Sequence, residues 1–401
     1  MKILHTYLRS AVLLGALWMF ILAVTFAVAF SFITGDPMRP SLWLSLIWGA
    51  AGGGLMFAAS RWTFIAAATV AIAATGLAGF GPVIFAQIGP GGIFIAGLLG
   101  FSFGWTLDVM FGGLPRGKLS RHEWEAAVIR FLSGLGYIVF TAAVFIPFYV
   151  MVMTSLKNQS ELMLNPLDFS VDLSKGWGLF SSYYELFTKF NFDTYLLNSF
   201  MISVMTVIVT LMFSIPGAYA VARLRFRGAA LMSRSILLIY MVPIIVLALP
   251  IYIAFSMTGL RNSFVGILMI YPVTTIPVAL YMLQGYFRGL PAEIEEAGLM
   301  DGLSRLQVIR KITLPLSLPA LASVSLYVFM IAWNEFLLAF MLLDDPGKFT
   351  LTRGIASLNS SEIPRQHLMA GSVIATIPIM LIFLGLERFM TKGLTAGSVK
   401  G

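Results

Sequence analysis

Ten stretches of this 401-residue chain are each close to twenty residues of nearly unbroken apolar side chains, and this constrains the fold more than any other feature. They fall at roughly 11–33, 41–60, 63–85, 91–111, 134–154, 196–221, 233–255, 262–283, 318–342 and 368–390. A helix needs about 20 apolar residues to cross a bilayer. Within hydrocarbon every backbone amide must be bonded inside the protein, which leaves helices and closed barrels. These runs lack the alternation of a barrel strand. The expected fold is an all-α integral membrane protein with about ten transmembrane helices. The first run is longer than a signal-peptide core and is followed by further spans, so it reads as a retained helix.

Charge settles what kind of membrane protein to expect. Only 11% of residues are charged, against about 25% in soluble domains. Cysteine is absent, which excludes disulfides, thiolate zinc sites and thiol catalysis. His5, His122 and His367 lie far apart in the chain, and no metal site is expected. The net charge of +8 raises the question of nucleic acid. With the N-terminus in the cytoplasm, eighteen of the 26 Lys and Arg residues fall on the inner side. The excess is therefore the positive-inside bias of a multi-pass protein of the cell (inner) membrane. No nucleic-acid partner is expected, lipid is, and both termini come out cytoplasmic.

Two blocks are visible. Residues 1–111 hold four Gly- and Ala-rich spans with short loops. A basic, amphipathic connector follows at 112–133. Residues 134–401 hold six spans with longer loops, among them a polar external loop at 155–195 that carries Trp177, Tyr183 and Tyr184. Short helices are expected in that loop.

Several motifs invite chemistry. Gly112–Leu119, GGLPRGKL, nearly fits the phosphate-cradling pattern GxxxxGK[ST], but Leu119 replaces the magnesium-binding hydroxyl and Pro115 removes a donor amide. A basic turn suffices as the explanation, so any ATPase must be another chain. Ala96, Gly100 and Gly104 form a small-residue row suited to helix packing within the bundle. Glu335 is the one carboxylate placed well inside a predicted span, and a charge at depth marks a functional site unless helix packing satisfies it. Trp333 and Asn334 beside it, with Tyr240 and Tyr271, could line a path for a polar solute. Thr274 and Thr275 are further polar groups within the spans.

The most unusual stretch is Glu295–Pro315, EEAGLMDGLSRLQVIRKITLP. Pro291 sets a helix start, and Glu293, Glu295 and Glu296 crowd its positive end. Gly302 can break that helix. Ser304 and Gln307 form a capping box for a second one, and Pro315 ends or kinks it. Ile294, Ala297 and Met300 share one face of the first helix, and Leu306, Ile309 and Ile312 share one face of the second. A membrane-surface helix would be richer in Lys and Arg. The expected element is a helix–glycine–helix unit on the cytoplasmic side, offered to a soluble partner.

Glu296-Ala297-Gly298, then Gly302, then Ile312-x-Leu314-Pro315 resembles the EAA motif of ABC importer permeases, EAA-xxx-G-x9-I-x-LP. The spacing matches throughout, and only Gly298 departs from it. Residues 198–228, 242–255, 332–340 and 393–401 are similar to the carbohydrate branch, in particular to maltose-type partner permeases. The resemblance covers about 134–401 and implies a type I importer core. Two homologous permease subunits would form the path, two ATP-binding subunits would sit beneath it, and an external binding protein would deliver substrate. The chain itself would be no enzyme and hold no cofactor, with ATP and Mg on the partner ATPases. Loop 284–317 would be the coupling element, using Glu295, Glu296, Ala297, Gly298, Asp301, Gly302, Ile312, Leu314 and Pro315. The implied cargo is a carbohydrate: an oligosaccharide, glycoside or polyol. The alternatives are an ABC permease for a polyamine, amino acid or anion, and an ion-coupled transporter. The last would need several intramembrane charges, whereas Glu335 stands nearly alone.

Overall fold

The computed structural model describes residues 6–86, 89–165, 168–360 and 362–395. The chain is helical nearly throughout and divides into two compact units, Met1–Gly176 and Trp177–Gly401.

In the first unit, α1 (Tyr7–Thr34) packs along α2 (Leu42–Ala58), and α3 (Arg61–Leu77) along α4 (Pro90–Phe111). Glycine makes the first contact possible. A methyl group on Gly53 would sit 2.1 Å from the carbonyl oxygen of Ala11, and one on Gly49 would sit 2.3 Å from that of Gly15. The two backbones touch where only glycine fits. In the second pair, Gly100 lies against the Ala68 carbonyl and Gly104 against Ile65. The small-residue row of α4 is thus used inside the bundle. Trp18, Met19, Phe64, Phe103, Leu107 and Phe111 fill the core between the helices.

The third apolar run is not one helix. α3 stops at Leu77, Gly79 turns the chain at φ +74°, and β1 (Met38–Pro40) pairs antiparallel with β2 (Val83–Phe85), Arg39 opposite Ile84. Gly79, Gly81 and Pro82 are the breakers that hydropathy alone passes over. The connector also differs from the reading. From Arg121 it belongs to one 35-residue helix, α5 (Arg121–Ser155), which continues through the fifth run. Ser120 and Glu123 form a capping box at its start. Phe131 of α5 meets Trp18 edge-on, and Arg130 donates to the Gly112 carbonyl at 2.8 Å. Beyond α5, a six-residue helix α6 (Gln159–Leu164) opens the polar loop at 155–195. Lys157 is buried there and bonds the carbonyl and carboxylate of Asp168. Hydrogen bonds from Ser170, with Lys157 alongside, hold the Asp168 carboxyl below its ordinary pKa.

The second unit is built around α8 (Phe192–Arg223), which packs on α11 (Phe264–Gly289) and α15 (Leu318–Asn334). α18 (Arg365–Thr395) covers α15 and α7 (Ser181–Lys189). The seventh run is split into α9 (Ala229–Tyr240) and α10 (Ile244–Met257) at Pro243. A residue before proline is driven out of the helical region, and Val242 occupies that place. The ninth run is split into α15 and α16 (Leu337–Leu342) at Glu335. A short helix α17 (Leu351–Ser357) precedes α18. Between α11 and α15 lies the charged stretch: α12 (Ala292–Met300), α13 (Arg305–Val308), a π-turn over Ile309–Thr313, and α14 (Leu314–Leu316). Among the described residues, six helices are long and apolar enough to cross a membrane. The stretch from α13 to α14, Arg305–Leu316, makes a seventh with α15, Leu318–Asn334, if the bent pair counts as one span.

Candidate functional site

The charged stretch folds as a hinged pair of helices. α12 ends at Gly302, whose φ of +86° is open to glycine without strain. The amide of Gly302 donates to the Leu299 carbonyl and that of Leu303 to the Gly298 carbonyl. This pair of bonds is the Schellman cap. Two residues on, the Ser304 hydroxyl accepts from the Gln307 amide while the Gln307 side chain accepts from the Ser304 amide at 2.8 Å. One helix is stopped and the next started within five residues. The π-turn follows, with the Leu314 amide reaching back to the Ile309 carbonyl. Its position is explained by Pro315, whose ring in a regular α-helix would strike the carbonyl four residues back. At Ser317 the chain bends by 79° into α15.

The acidic residues divide into two sets. Glu293, Glu296 and Asp301 are exposed. Glu295 is buried, with 7% of its surface accessible. Its carboxylate accepts from the Tyr219 hydroxyl at 3.2 Å and from the Thr313 hydroxyl at 2.9 Å. The Arg223 Nε lies 3.4 Å away, and the same guanidinium donates to the Leu290 carbonyl at 2.7 Å. Glu295 thus ties α12 to the end of α8 and to the π-turn. Gly298 is buried beneath Ile312; a Cβ there would fall 2.5 Å from the Ile312 δ-methyl. The volume lost at Gly298 relative to alanine is filled by Ile312. Outward, Ile294, Ala297, Met300 and Leu306 are exposed, Met300 and Leu306 by 88% and 74%. Leu314 is half-buried and Pro315 exposed. The helix pair therefore presents a surface of apolar side chains bordered by free carboxylates.

The other group of candidates surrounds the break at Glu335. This residue is not within a helix. It follows α15, and its carboxylate accepts from the amides of Leu338 and Ala339 at 2.9 and 3.1 Å, capping α16. Its carbonyl accepts from the Thr352 hydroxyl at 2.6 Å. Trp333 is buried, stacks on Phe329 at 5.5 Å and donates to the Ala375 carbonyl. Tyr271 is buried in α11. Asn334 is exposed and bonds only the Met330 carbonyl of its own helix. Tyr240 closes α9, and its side chain lies outside the described residues.

Sequence reasoning missed a seam of hydroxyls. Ser199, Ser203, Thr206, Thr210 and Ser214 recur along one face of α8 and are all buried. Thr210 bonds Thr275 of α11 at 2.7 Å, and Ser199 accepts from the Leu351 amide. The signal was available as a helical period of small polar residues inside an apolar run. Such residues let helices approach closely and bond across the contact. Arg353 was missed too; its guanidinium sits 4.6 Å from the centre of the Phe340 ring and 4.3 Å from that of Phe349.

The geometry can now be set beside known proteins. The chain is 38% identical over 277 residues to the inner membrane ABC transporter permease protein YcjP of Escherichia coli K12, covering 96% of that relative and 68% of itself. The chain belongs to this permease family. The model for the binding-protein-dependent transport system inner membrane component matches residues 211–395, from within α8 through the hinged pair to α18. The trehalose/maltose transport system permease protein MalG of Thermococcus litoralis is 33% identical over 280 residues, 69% of this chain and 99% of the relative. A crystal structure of a bacterial ABC transporter involved in the import of the acidic polysaccharide alginate superposes with a TM-score of 0.57 at 23% identity, over 67% of this chain and 98% of that one. That likeness shows the fold. The protein is a multi-pass inner-membrane permease subunit of an ABC importer and not an enzyme.

Proposed function

We propose that this permease forms half of the translocation path of an ATP-driven carbohydrate importer. The observation that carries the reading is the hinged pair. Its outer surface of Ile294, Glu296, Ala297, Met300 and Leu306 is free, while its base is fastened to α8 and bends directly into α15. Such an element can receive a push from a soluble ATPase and pass it to membrane helices. A second homologous permease subunit, two ATP-binding subunits carrying ATP and Mg, and an external binding protein complete the machine. Closure of the ATPase dimer would rock the spans between inward-open and outward-open arrangements. Both termini lie in the cytoplasm on the positive-inside count. The trehalose/maltose relative supports a carbohydrate cargo.

In this reading Glu296, Asp301 and the exposed apolar groups contact the ATPase. Gly302 permits the bend, and Gly298, Ile312, Leu314 and Pro315 hold its shape. Asn334, exposed beside the break in the ninth run, faces the solute. Trp333, Tyr271 and Glu335 shape the wall behind it, and Tyr240 of α9 is a further candidate. Residues 134–401 form the importer core with its external loop at 155–195. Residues 1–111 are an added, peripheral bundle, in keeping with relatives that are matched almost whole by two thirds of this chain.

The test is Glu296→Lys in the reconstituted complex. The charge reversal should abolish co-purification of the ATPase and uptake of labelled oligosaccharide. Unaltered assembly and uptake would refute the coupling role.

A further inference from the structure

We infer that Glu295 is a positioning residue that makes α8 a second output of the coupling element. The inference rests on the permease reading above. Covalently, the hinged pair leads only into α11 on one side and, through the 79° bend, α15 on the other. A push on the loop alone would reach the spans at its two ends. The Glu295 carboxylate changes that connectivity. It bonds Tyr219, one helical turn before Arg223, and it pairs with Arg223 itself, both on the last turns of α8. It also bonds Thr313 in the π-turn. Arg223 in turn holds the Leu290 carbonyl, just before α12. The start of α12, its first turn, the π-turn and the end of α8 are therefore joined through one carboxylate and one guanidinium. All four groups are shielded from water: Thr313 is wholly buried, and the Glu295 and Arg223 side chains are 10% and 12% accessible. Arg223 Nε, at 3.4 Å, makes no hydrogen bond to the carboxylate, so the pair is held by charge attraction, which shielding from water leaves less screened than at the surface. Upstream, Tyr219 packs against Phe287 of α11, and Ala218, Ala279 and Val324 complete the contact between α8, α11 and α15. Displacing α12 must then carry the end of α8 with it, and α8 is joined to α11 further along by the Thr210–Thr275 hydroxyl bond. Glu296 is the surface group of the coupling element, and Glu295 fixes it to the body it moves.

The test compares uptake per ATP hydrolysed in proteoliposomes containing the whole importer. Glu295→Ala should still assemble with the ATPase, because Glu296 and the exposed face are intact, but uptake per ATP should fall by about tenfold. Glu295→Gln keeps an acceptor oxygen for one hydroxyl and can donate from its amide nitrogen to the oxygen of the other, so it should recover part of it. A purely architectural role would lower the amount of complex and leave this ratio unchanged, and that result overturns the inference. If Glu295→Ala does not assemble, the pair Tyr219→Phe with Thr313→Val removes the two hydroxyl donors and leaves the charge. Its ratio should fall by about threefold to fivefold, and an unchanged ratio overturns the inference equally. Failure of the wild-type chain to assemble with any ATPase would instead refute the permease reading on which this rests.

Discussion

Glu295 and Glu335 are both carboxylates withdrawn from water in a chain that has few, and they are satisfied in opposite ways. Glu335 is bonded by backbone amides three and four residues further on. Glu295 is bonded by Tyr219, 76 residues earlier, and by Thr313, 18 residues later. The first is hydrogen-bonded within a broken span, with the buried Tyr271 of α11 facing it. The second joins separate elements. Depth in an apolar run drew attention to Glu335, while Glu295 reads as one of three acids at a helix start. Depth measures what a buried charge costs to place. It says nothing about whether the compensating partners are local or distant, and only distant partners can transmit motion.

The comparison breaks first if removing the two groups has the same consequence. Glu295→Ala leaves Arg223 shielded and unpaired, which should cost about 3–5 kcal/mol. Arg223→Met in the same chain should recover a large part of that loss, since no stranded charge remains. The double-mutant cycle, read by chemical unfolding in detergent, should show strong non-additivity. Additive effects would mean that the two side chains do not act as a pair.

Gly302 is the next largest expectation and isolates the hinge from the tether. No atom lies within 4 Å of where its side chain would be, so Gly302→Ala tests the backbone alone. A left-handed alanine costs about 1–2 kcal/mol. The loss should appear as faster proteolysis between α12 and α13 with the Glu295 junction intact. Unchanged protection would show that the turn can be rebuilt without φ near +86°.

Glu335→Ala should cost about 1 kcal/mol, the ordinary price of a lost helix cap. Glu335→Gln, which keeps an acceptor oxygen, should cost less. Uptake should fall only slightly in either case, with ATP coupling unaltered. Loss of uptake comparable to Glu295→Ala would reverse the contrast and return Glu335 to the centre of the mechanism.

Much of the hinged pair was legible beforehand because its determinants are local. Gly302, Ser304, Gln307 and Pro315 each act within five residues, and the structure shows each at its expected work. Of the four N-terminal runs, the first and fourth are helices long and apolar enough to cross a membrane, while Gly79–Pro82 ends α3 short of its run. Hydropathy averages over such short breakers, and it missed Pro243 and the break at Glu335 for the same reason. At Ser120 composition and structure part ways: the basic segment differs in residue type from the fifth run, yet its capping box starts the one helix that holds both. Out of reach were the contacts between elements: which glutamate of the pair turns inward, and which hydroxyls of α8 find Thr275. Those depend on how helices rotate against one another, which a single run of sequence does not specify.

The smallest effect bears on whether α12 tolerates the alanine that the EAA pattern has where this chain has Gly298. At Gly298 alanine would gain about 1 kcal/mol of helix propensity. Its methyl group would also meet the Ile312 δ-methyl at 2.5 Å, and overpacking of this kind costs about 1–3 kcal/mol. Gly298→Ala alone should therefore be mildly destabilising. Ile312→Val alone removes the colliding methyl group and should cost about 0.5–1.5 kcal/mol. Together they should be more stable than the sum of the two by at least about 0.5 kcal/mol, because the new methyl occupies the space the other vacates. Gly298 lies one turn beyond Glu295 on the same buried face of α12 but its methyl would meet Ile312 and not the groups that bond the carboxylate, so uptake per ATP should stay at the wild-type value in all three variants. A fall in that ratio would mean that the packing of α12 on the π-turn, and not the carboxylate, carries the force.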